Sequence, residues 1–148
     1  MNLHFPLVAL WLFGCSALAQ TDARILQAIG QVESGGNRLA VGDHGTALGR
    51  YQQHATSWRD ANDLLLREGK PTVPRSSWRT ASNQDIVAMA YLRVLRHRFA
   101  LYGIPNPTPA QLAVAWNLGF EAARRKGFPS TSYARRVTAL MQVDKTSR

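Results

Sequence analysis

The sequence predicts a mainly α-helical, single-domain protein. Apolar residues recur at helical spacing wherever their pattern is regular, and no repeat, heptad or low-complexity tract interrupts them. The composition is that of an ordinary globular domain, with 45% hydrophobic and 18% charged residues. A chain of 148 residues is long enough to bury a core without disulfides or a structural metal. We therefore expect one α-rich domain, with an irregular loop or short hairpin after its first helix.

The N-terminal residues 1–19 have the features of a secretory signal peptide. They form an apolar run without Lys or Arg that ends on Ala17-Leu18-Ala19, a small-x-small pattern that signal peptidase accepts. Cleavage after Ala19 would leave a domain of residues 20–148, exported to the periplasm or secreted. An uncleaved anchor is one alternative. A lipoprotein anchored through Cys15 is another, although the bulky Phe13 fits the required motif poorly.

The first helix of the domain is predicted to begin at a cap of Thr21 or Asp22 and to end just after Glu33. Three apolar residues recur on it at i, i+4 and i+7: Ile25, Ile29 and Val32. The run Ser34-Gly35-Gly36 supplies its end. Residues 37–51 contain several glycines and little periodicity, which predicts the irregular loop or short hairpin.

Four further helices are predicted by the same apolar spacing. They span about residues 56–68, 82–103, 109–119 and 131–143. Ser82 and Asp85 have the spacing of a capping box at the start of the longest helix, and Ile86 falls on its apolar face. Thr108 and Gln111 have the same capping spacing one helix later.

The chain is strongly basic, with a formal net charge of +9, and fifteen of its eighteen basic residues are arginine. Such a protein is attracted to anionic cell-wall or membrane surfaces, although charge alone does not specify a reaction. No nucleic-acid-binding motif is present, and Arg93, Arg96 and Arg98 are predicted to form the solvated face of one helix. The histidines lack metal-ligand spacing, and residues 20–148 contain no cysteine. We therefore expect no nucleic-acid partner, metal or cofactor.

Glu33 is the strongest candidate for a catalytic acid. It ends an apolar helix face, where the helix dipole and partial burial both favour the protonated carboxyl group. A neutral carboxyl group is suited to protonating a glycosidic oxygen. The alternative is that Glu33 merely hydrogen-bonds the Gly35-Gly36 turn. Glu68 and Glu121 have the surroundings of solvated surface charges.

Four ordered motifs resemble those of the soluble lytic transglycosylase and goose-type lysozyme family. They are VESGGN at 32–37, LGRYQ at 48–52, AWNLG at 115–119 and YARRV at 133–137. The resemblance covers about residues 23–140, although residues 55–104 match only in helical character. It implies a lysozyme-like α-rich fold and cleavage of the β-1,4-linked glycan of peptidoglycan. It also implies that Glu33 is the catalytic acid and base.

The resemblance further implies a set of substrate-binding residues around Glu33. These are Ser34, Gly49, Tyr51, Gln52, Asn117 and Tyr133. Some have a structural alternative, since Gly49 also suits a tight turn and Asn117 a helix cap. The family counterpart of Tyr133 points its hydroxyl group toward the catalytic site. Trp116 stands where the family more commonly has Tyr, and we expect it to be a core residue first.

The use of water in cleavage depends on a second carboxylate. An inverting hydrolase needs a base about 6.5 to 9.5 Å from the acid, and Asp43 is either this second carboxylate or an ordinary loop residue. Gln53 and His54 depart from the family pattern. A lytic transglycosylase needs no second carboxylate, because the 6-hydroxyl of the sugar itself closes onto the anomeric carbon and leaves a 1,6-anhydromuramoyl end. This is the favoured reaction, with a lysozyme or a non-catalytic peptidoglycan-binding module as alternatives.

The expected partner is the peptidoglycan glycan strand. We expect a monomer that acts on these strands and is held near the cell wall or membrane by its positive charge. Remodelling of the cell's own wall, opening of the wall for a secretion apparatus and attack on a competitor all remain open as roles.

Overall fold

The structure is a computed structural model that describes the backbone of residues 9–146 and the side chains of residues 17–143. The predicted signal peptide therefore lies partly outside the described residues, and the Cys15 side chain lies outside them. The described residues form six α-helices and one two-stranded antiparallel sheet, which confirms the mainly α class. None of the helices in this part of the chain has both the length and the apolar character needed to span a bilayer.

The elements follow the predicted order, with one addition. They are α1 (Ala9–Ser34), β1 (Val41–Gly42), β2 (Ala47–Leu48), α2 (Ala55–Arg67), α3 (Ala81–Leu101), α4 (Pro109–Leu118), α5 (Phe120–Arg125) and α6 (Ser132–Thr146). The strands β1 and β2 form the short hairpin expected after the first helix, with Val41 opposite Leu48 and Gly42 opposite Ala47. Helix α5 was not predicted, because six residues are too few to establish a helical period.

The first helix begins earlier than predicted, and neither Thr21 nor Asp22 caps it. Helix α1 runs unbroken from Ala9, and the Thr21 hydroxyl donates a 2.9 Å hydrogen bond to the Ala17 carbonyl within it. Asp22 is 5% exposed and pairs with Arg96. The prediction of a solvated arginine face is therefore wrong for Arg96, which compensates a buried carboxylate.

Helix α3 also begins differently from the prediction. Thr80 occupies its N-cap position with an extended backbone. It lies two residues before the predicted cap Ser82 and five residues before Asp85. Asp85 forms no capping box, because the earlier start of the helix removes it from the N3 position. Its carboxylate accepts hydrogen bonds from Arg38 and from the Tyr51 hydroxyl. Ile86, expected on the apolar face, is 45% exposed.

The cap of α4 is as predicted. The Thr108 hydroxyl accepts a hydrogen bond from the backbone N–H of Gln111, and the Gln111 side chain accepts one from the backbone N–H of Thr108. Pro109 occupies the first turn, where its missing N–H has no cost. The capping box therefore fixes the start of α4, whose last two residues are Asn117 and Leu118.

The buried core lies where α1, α3, α4 and α6 meet. Its fully buried large side chains include Ile25, Ile29, Leu92, Leu95, Phe99, Leu112, Val114 and Val137. Helix α6 packs against both α1 and α4, and α3 packs against α2. This packing brings the C-terminal end of α1 and the start of α6 together, although they are far apart in the sequence.

Candidate active site

The end of α1 is a double-glycine turn that is satisfied by backbone groups. Gly35 and Gly36 have φ angles of 61° and 81°, a left-handed conformation that glycine adopts without strain. Their N–H groups donate to the carbonyl oxygens of Gln31 and Gly30, each at 3.0 Å. The alternative role of Glu33 as a partner of this turn is therefore not needed, and its carboxyl group points elsewhere.

Glu33 is half-buried and is hydrogen-bonded by Tyr133. The Tyr133 hydroxyl donates to Oε1 of Glu33 at 2.7 Å, as the resemblance implied. Burial raises the pKa of Glu33, the Tyr133 hydrogen bond opposes that rise, and the charge of Asp43 adds to it. The charges of His54 and Arg136 lower the pKa, but the net direction is upward. Glu33 therefore keeps its proton to a higher pH than an ordinary glutamate does.

Tyr133 remains a hydrogen-bond donor at any ordinary pH. Its hydroxyl group is mostly buried and faces Glu33, and both effects raise the pKa of Tyr133 far above the usual value for a tyrosine. The Tyr133 proton therefore stays on the phenol oxygen, and Oε1 of Glu33 stays an acceptor. The proton of the neutral Glu33 carboxyl group is left to the second oxygen, Oε2.

Asp43, the candidate second carboxylate, is paired with His54. Its Oδ2 lies 3.0 Å from Nε2 of His54, and both side chains are well exposed. Asp43 and His44 lie between the two strands with φ angles of 46° and 53°, a left-handed conformation that Asp and His tolerate better than most residues. Both partners of the Asp43–His54 pair influence the pKa of Glu33, so the three side chains form one electrostatic group.

A cleft of about 530 Å³ opens beside His54. Gln52 and Asn117, two of the implied substrate-binding residues, line it together with Trp116. Glu33 and Tyr133 do not belong to its lining. His54 does, and through its contact with Asp43 it connects the cleft to that carboxylate. The cleft is open rather than enclosed by the described residues, which suits a long polymer better than a small molecule.

Gln52 is held in a constrained conformation at the edge of this cleft. Its φ of 45° is unusual for a residue other than glycine. Its Nε2 donates to the Gly49 carbonyl at 2.9 Å. Its Oε1 lies against Gly42, where any added Cβ would collide with it. Gly42 thus makes room for the Gln52 side chain.

Three of the implied substrate-binding residues support the loop instead of lining the cleft. The Ser34 hydroxyl donates to a loop carbonyl at 2.8 Å. Gly49 has a φ of 76°, and a Cβ added there would lie 2.5 Å from Oε1 of Gln84. Tyr51 is 4% exposed and donates to Asp85 at 2.7 Å; burial and this carboxylate raise the pKa of Tyr51 to about 12.

Trp116 is a core residue, as predicted, and it also faces the cleft. It is 9% exposed and makes edge-on ring contacts with Tyr91 and Tyr51, with centroids 5.2 Å and 6.4 Å apart. Its remaining surface lines the cleft. One aromatic side chain therefore joins the core to the cleft wall.

Several cleft residues carry no motif that would mark them in the sequence. Thr46 and Arg75 are 29 positions apart, and Nη2 of Arg75 donates to the Thr46 carbonyl at 2.7 Å. Gln53 departs from the family pattern directly after Gln52, and that departure was the available signal for its place in the lining. Within the described residues, no three His, Cys, Asp or Glu side chains come close enough together to hold a metal ion.

Comparisons of the chain with protein-family models, with curated proteins and with solved structures found no match. The resemblance to lytic transglycosylases and goose-type lysozymes therefore rests on the four motifs alone. The structure adds the contact of Tyr133 with Glu33 and the place of Gln52 and Asn117 in the cleft lining.

Proposed function

We propose that the chain is a lytic transglycosylase that cleaves the β-1,4 bond between N-acetylmuramic acid and N-acetylglucosamine in peptidoglycan. The observation that carries the proposal is Glu33, a half-buried carboxyl group with a raised pKa, held by the Tyr133 hydroxyl at 2.7 Å. The four motifs support it, and so does the hairpin after α1. From the two together we infer a lysozyme-like architecture for the domain. A substrate outside the cytoplasm agrees with the predicted signal peptide of residues 1–19.

In the first step, neutral Glu33 donates its proton to the glycosidic oxygen. The bond between that oxygen and the anomeric carbon of the muramoyl sugar breaks, and the N-acetylglucosamine part leaves as an alcohol. The muramoyl N-acetyl oxygen stabilises the electron-poor anomeric carbon. The Tyr133 hydrogen bond occupies Oε1, so it orients the carboxyl group and then stabilises the negative charge that develops on Glu33.

In the second step, Glu33 acts as a base. Its carboxylate takes the proton of the muramoyl 6-hydroxyl group while that oxygen bonds to the anomeric carbon. The product is a 1,6-anhydromuramoyl end, Glu33 has regained its proton, and no water is consumed. The reaction therefore needs one carboxyl group that changes between acid and base, and the raised pKa of Glu33 favours this double role.

A lysozyme that hydrolyses the same bond is the second candidate. Asp43 is near enough to raise the pKa of Glu33, and it would be the base that activates water. Its Oδ2 is already engaged by Nε2 of His54 at 3.0 Å, which weakens its capacity to take a proton from water. The transglycosylase is favoured on this ground. A non-catalytic peptidoglycan-binding module is the third candidate, motivated by Gln53 and His54.

The deciding experiment is mass spectrometry of the fragments that the purified full chain releases from peptidoglycan. We expect anhydromuramoyl ends from the wild type and from Asp43→Asn, and no release from Glu33→Gln. Glu121→Gln is the matched control, since Glu121 is exposed and paired with Arg124. Reducing ends that disappear in Asp43→Asn would establish the lysozyme instead. Binding to sacculi without release by any variant would establish the binding module.

A further inference from the structure

Gln53 has a buried hydrogen-bond donor without a partner. The residue is 3% exposed and lines the cleft, and its Nε2 has no hydrogen-bond partner among the described residues. Backbone hydrogen bonds to Leu48 in both directions, at 3.1 Å and 3.2 Å, hold it in place. An unpaired buried N–H group is costly, and native proteins rarely keep one without a use. Because Gln53 lines the cleft, a turn of its side-chain amide would bring Nε2 to an acceptor on a ligand there.

Arg75, which also lines the cleft, has a second such donor. Its Nε is buried and has no hydrogen-bond partner among the described residues. Its Nη2 donates to the Thr46 carbonyl at 2.7 Å, which fixes the guanidinium group. The fixed guanidinium group brings a positive charge and an unpaired N–H donor to the cleft wall, and hydrogen bonds from a charged donor to a carboxylate are stronger than those between neutral groups.

The charge of the lining fits the same class of ligand. No Asp or Glu occurs among the described residues that line the cleft, whereas Arg75 and His54 do. The nearby carboxylate of Asp43 is paired with His54. Trp116 supplies an apolar wall against which a sugar ring can lie. The cleft therefore offers N–H donors and positive charge to an acidic group on a carbohydrate.

We propose that Gln53 and Arg75 form a carboxylate-binding subsite that recognises the acidic substituent of a muramoyl sugar. This inference rests on the proposed function for the identity of the sugar, but the chemistry of the subsite does not depend on turnover. Two sources supply such a carboxylate. In strands without peptides it is the free lactyl group of muramic acid, and in substituted strands it is a carboxylate of the attached peptide.

The test is a binding titration of the full chain carrying Glu33→Gln, with three probes of equal sugar number. A chitooligosaccharide has no carboxylate, a peptide-free muramoyl glycan has the lactyl carboxylate, and a peptide-bearing muramoyl glycan has peptide carboxylates. We expect Gln53→Met and Arg75→Lys each to weaken binding of an acidic probe about tenfold. Binding of the chitooligosaccharide stays unchanged. Arg59→Lys is the control, because Arg59 is exposed and outside the lining.

Loss with the peptide-free glycan assigns the subsite to the lactyl group, and loss confined to the peptide-bearing glycan assigns it to the peptide. Equal loss with all three probes, or no loss with any, overturns the proposal. A structural role of Gln53 is separated by thermal unfolding. Since Gln53→Met removes an unpaired buried donor, its Tm should be unchanged or higher, and a lower Tm together with weaker binding of every probe overturns the subsite.

The proposed function and the subsite fail in different ways. A wild-type chain that releases no fragments, while its Glu33→Gln form still distinguishes acidic from neutral probes through Gln53 and Arg75, rejects the transglycosylase and supports the subsite. A wild-type chain that releases anhydro fragments, with affinities that do not respond to either variant, supports the transglycosylase and rejects the subsite.

Discussion

The Tyr133 hydroxyl donates to Oε1 of Glu33 at 2.7 Å, across one hundred positions of sequence. Helices α1 and α6 pack against each other, and this packing sets the distance between the two side chains. Burial destabilises the charged form of Glu33 and the hydrogen bond stabilises it, with burial the larger effect on the pKa. The tertiary fold, and not the helix end alone, therefore sets the acidity of Glu33.

Tyr133→Phe tests this relationship. Loss of the hydrogen bond removes an influence that lowers the pKa of Glu33, so the pKa rises further and the alkaline limb of the kcat/KM profile moves to higher pH. The maximal rate falls about tenfold, because the carboxyl group is no longer oriented. The measurement is fragment release across a pH series, with the exposed Tyr102→Phe as control. An alkaline limb that stays in place would contradict the assigned role of Tyr133.

Glu33→Gln is expected to stabilise the fold at neutral pH. The raised pKa means that the folded chain binds the Glu33 proton more tightly than the unfolded chain does, whose value is near 4.5. The free energy of unfolding therefore falls as the pH rises from about 4.5 through the folded pKa. Glutamine keeps the shape and the acceptor for Tyr133 without the charge, so its advantage exists above that window and disappears below it.

Urea unfolding at neutral and at acidic pH measures this difference. Glu121→Gln is the control, because Glu121 is exposed and its pairing with Arg124 lies outside the site. A Glu33→Gln variant that is less stable than the wild type at neutral pH would show that burial does not raise the pKa of Glu33.

Asp43 and His54 are expected to change the pH profile in opposite directions. The Asp43 charge raises the pKa of Glu33 and the His54 charge lowers it. Asp43→Asn should therefore move the alkaline limb of kcat/KM to lower pH, and His54→Gln should move it to higher pH. Both variants should still give anhydro products. Shifts in the same direction would mean that the pair acts by contact with substrate and not by its charge on Glu33.

The sequence predicts those features of the fold that local signals determine. The apolar period of α1 and the two glycines after it place Glu33 at a helix end, and Thr108 with Gln111 forms the predicted capping box. The predicted caps at Thr21 or Asp22 and at Ser82 are wrong, because both helices begin earlier in the sequence, at Ala9 and at Ala81. The carboxylates of Asp22 and Asp85 instead have distant cationic or hydroxyl partners, which a local window of sequence does not show.

The candidate site shows the same division. Motifs identify Gln52 and Asn117, which line the cleft, and Glu33 and Tyr133, which the structure brings into contact with each other. The same motifs include residues whose side chains turn to the loop, such as Tyr51, because a motif does not distinguish contact with substrate from support of the loop. Gln53 and the cleft residues that no motif includes come from separate parts of the chain, which only the tertiary fold brings together.

The positive charge is expected to retain the protein on the cell wall. Six arginines among the described residues are exposed to solvent: Arg59, Arg67, Arg79, Arg125, Arg135 and Arg136. Their attraction to anionic polymers is screened by salt, so binding to sacculi should fall about tenfold or more between ~0.05 M and ~0.5 M salt. A pelleting assay with Glu33→Gln measures it without cleavage. Binding that does not respond to salt would reject the electrostatic account.

Gly49→Ala and Gly103→Ala form a matched pair that isolates a steric contact. Both glycines have positive φ, 76° and 88°, so alanine is strained at either position by about 1 kcal/mol. At Gly103 nothing lies within 4 Å of the added Cβ, whereas at Gly49 it would lie 2.5 Å from Oε1 of Gln84.

Gln84 cannot easily retreat from this contact. It is 1% exposed, its Oε1 accepts from the Arg50 backbone N–H at 2.8 Å, and its Nε2 donates to the carbonyls of Arg38 and Trp78. Gly49→Ala should therefore lower the free energy of unfolding by about 3 kcal/mol, against about 1 kcal/mol for Gly103→Ala. Chemical unfolding measures both. The Gln84 hydrogen bond to Arg50 also holds the loop that carries Gln52, so Gly49→Ala should raise KM while Gly103→Ala leaves it unchanged. Equal losses of stability in the two variants would show that the loop moves away from the added Cβ without a cost in free energy.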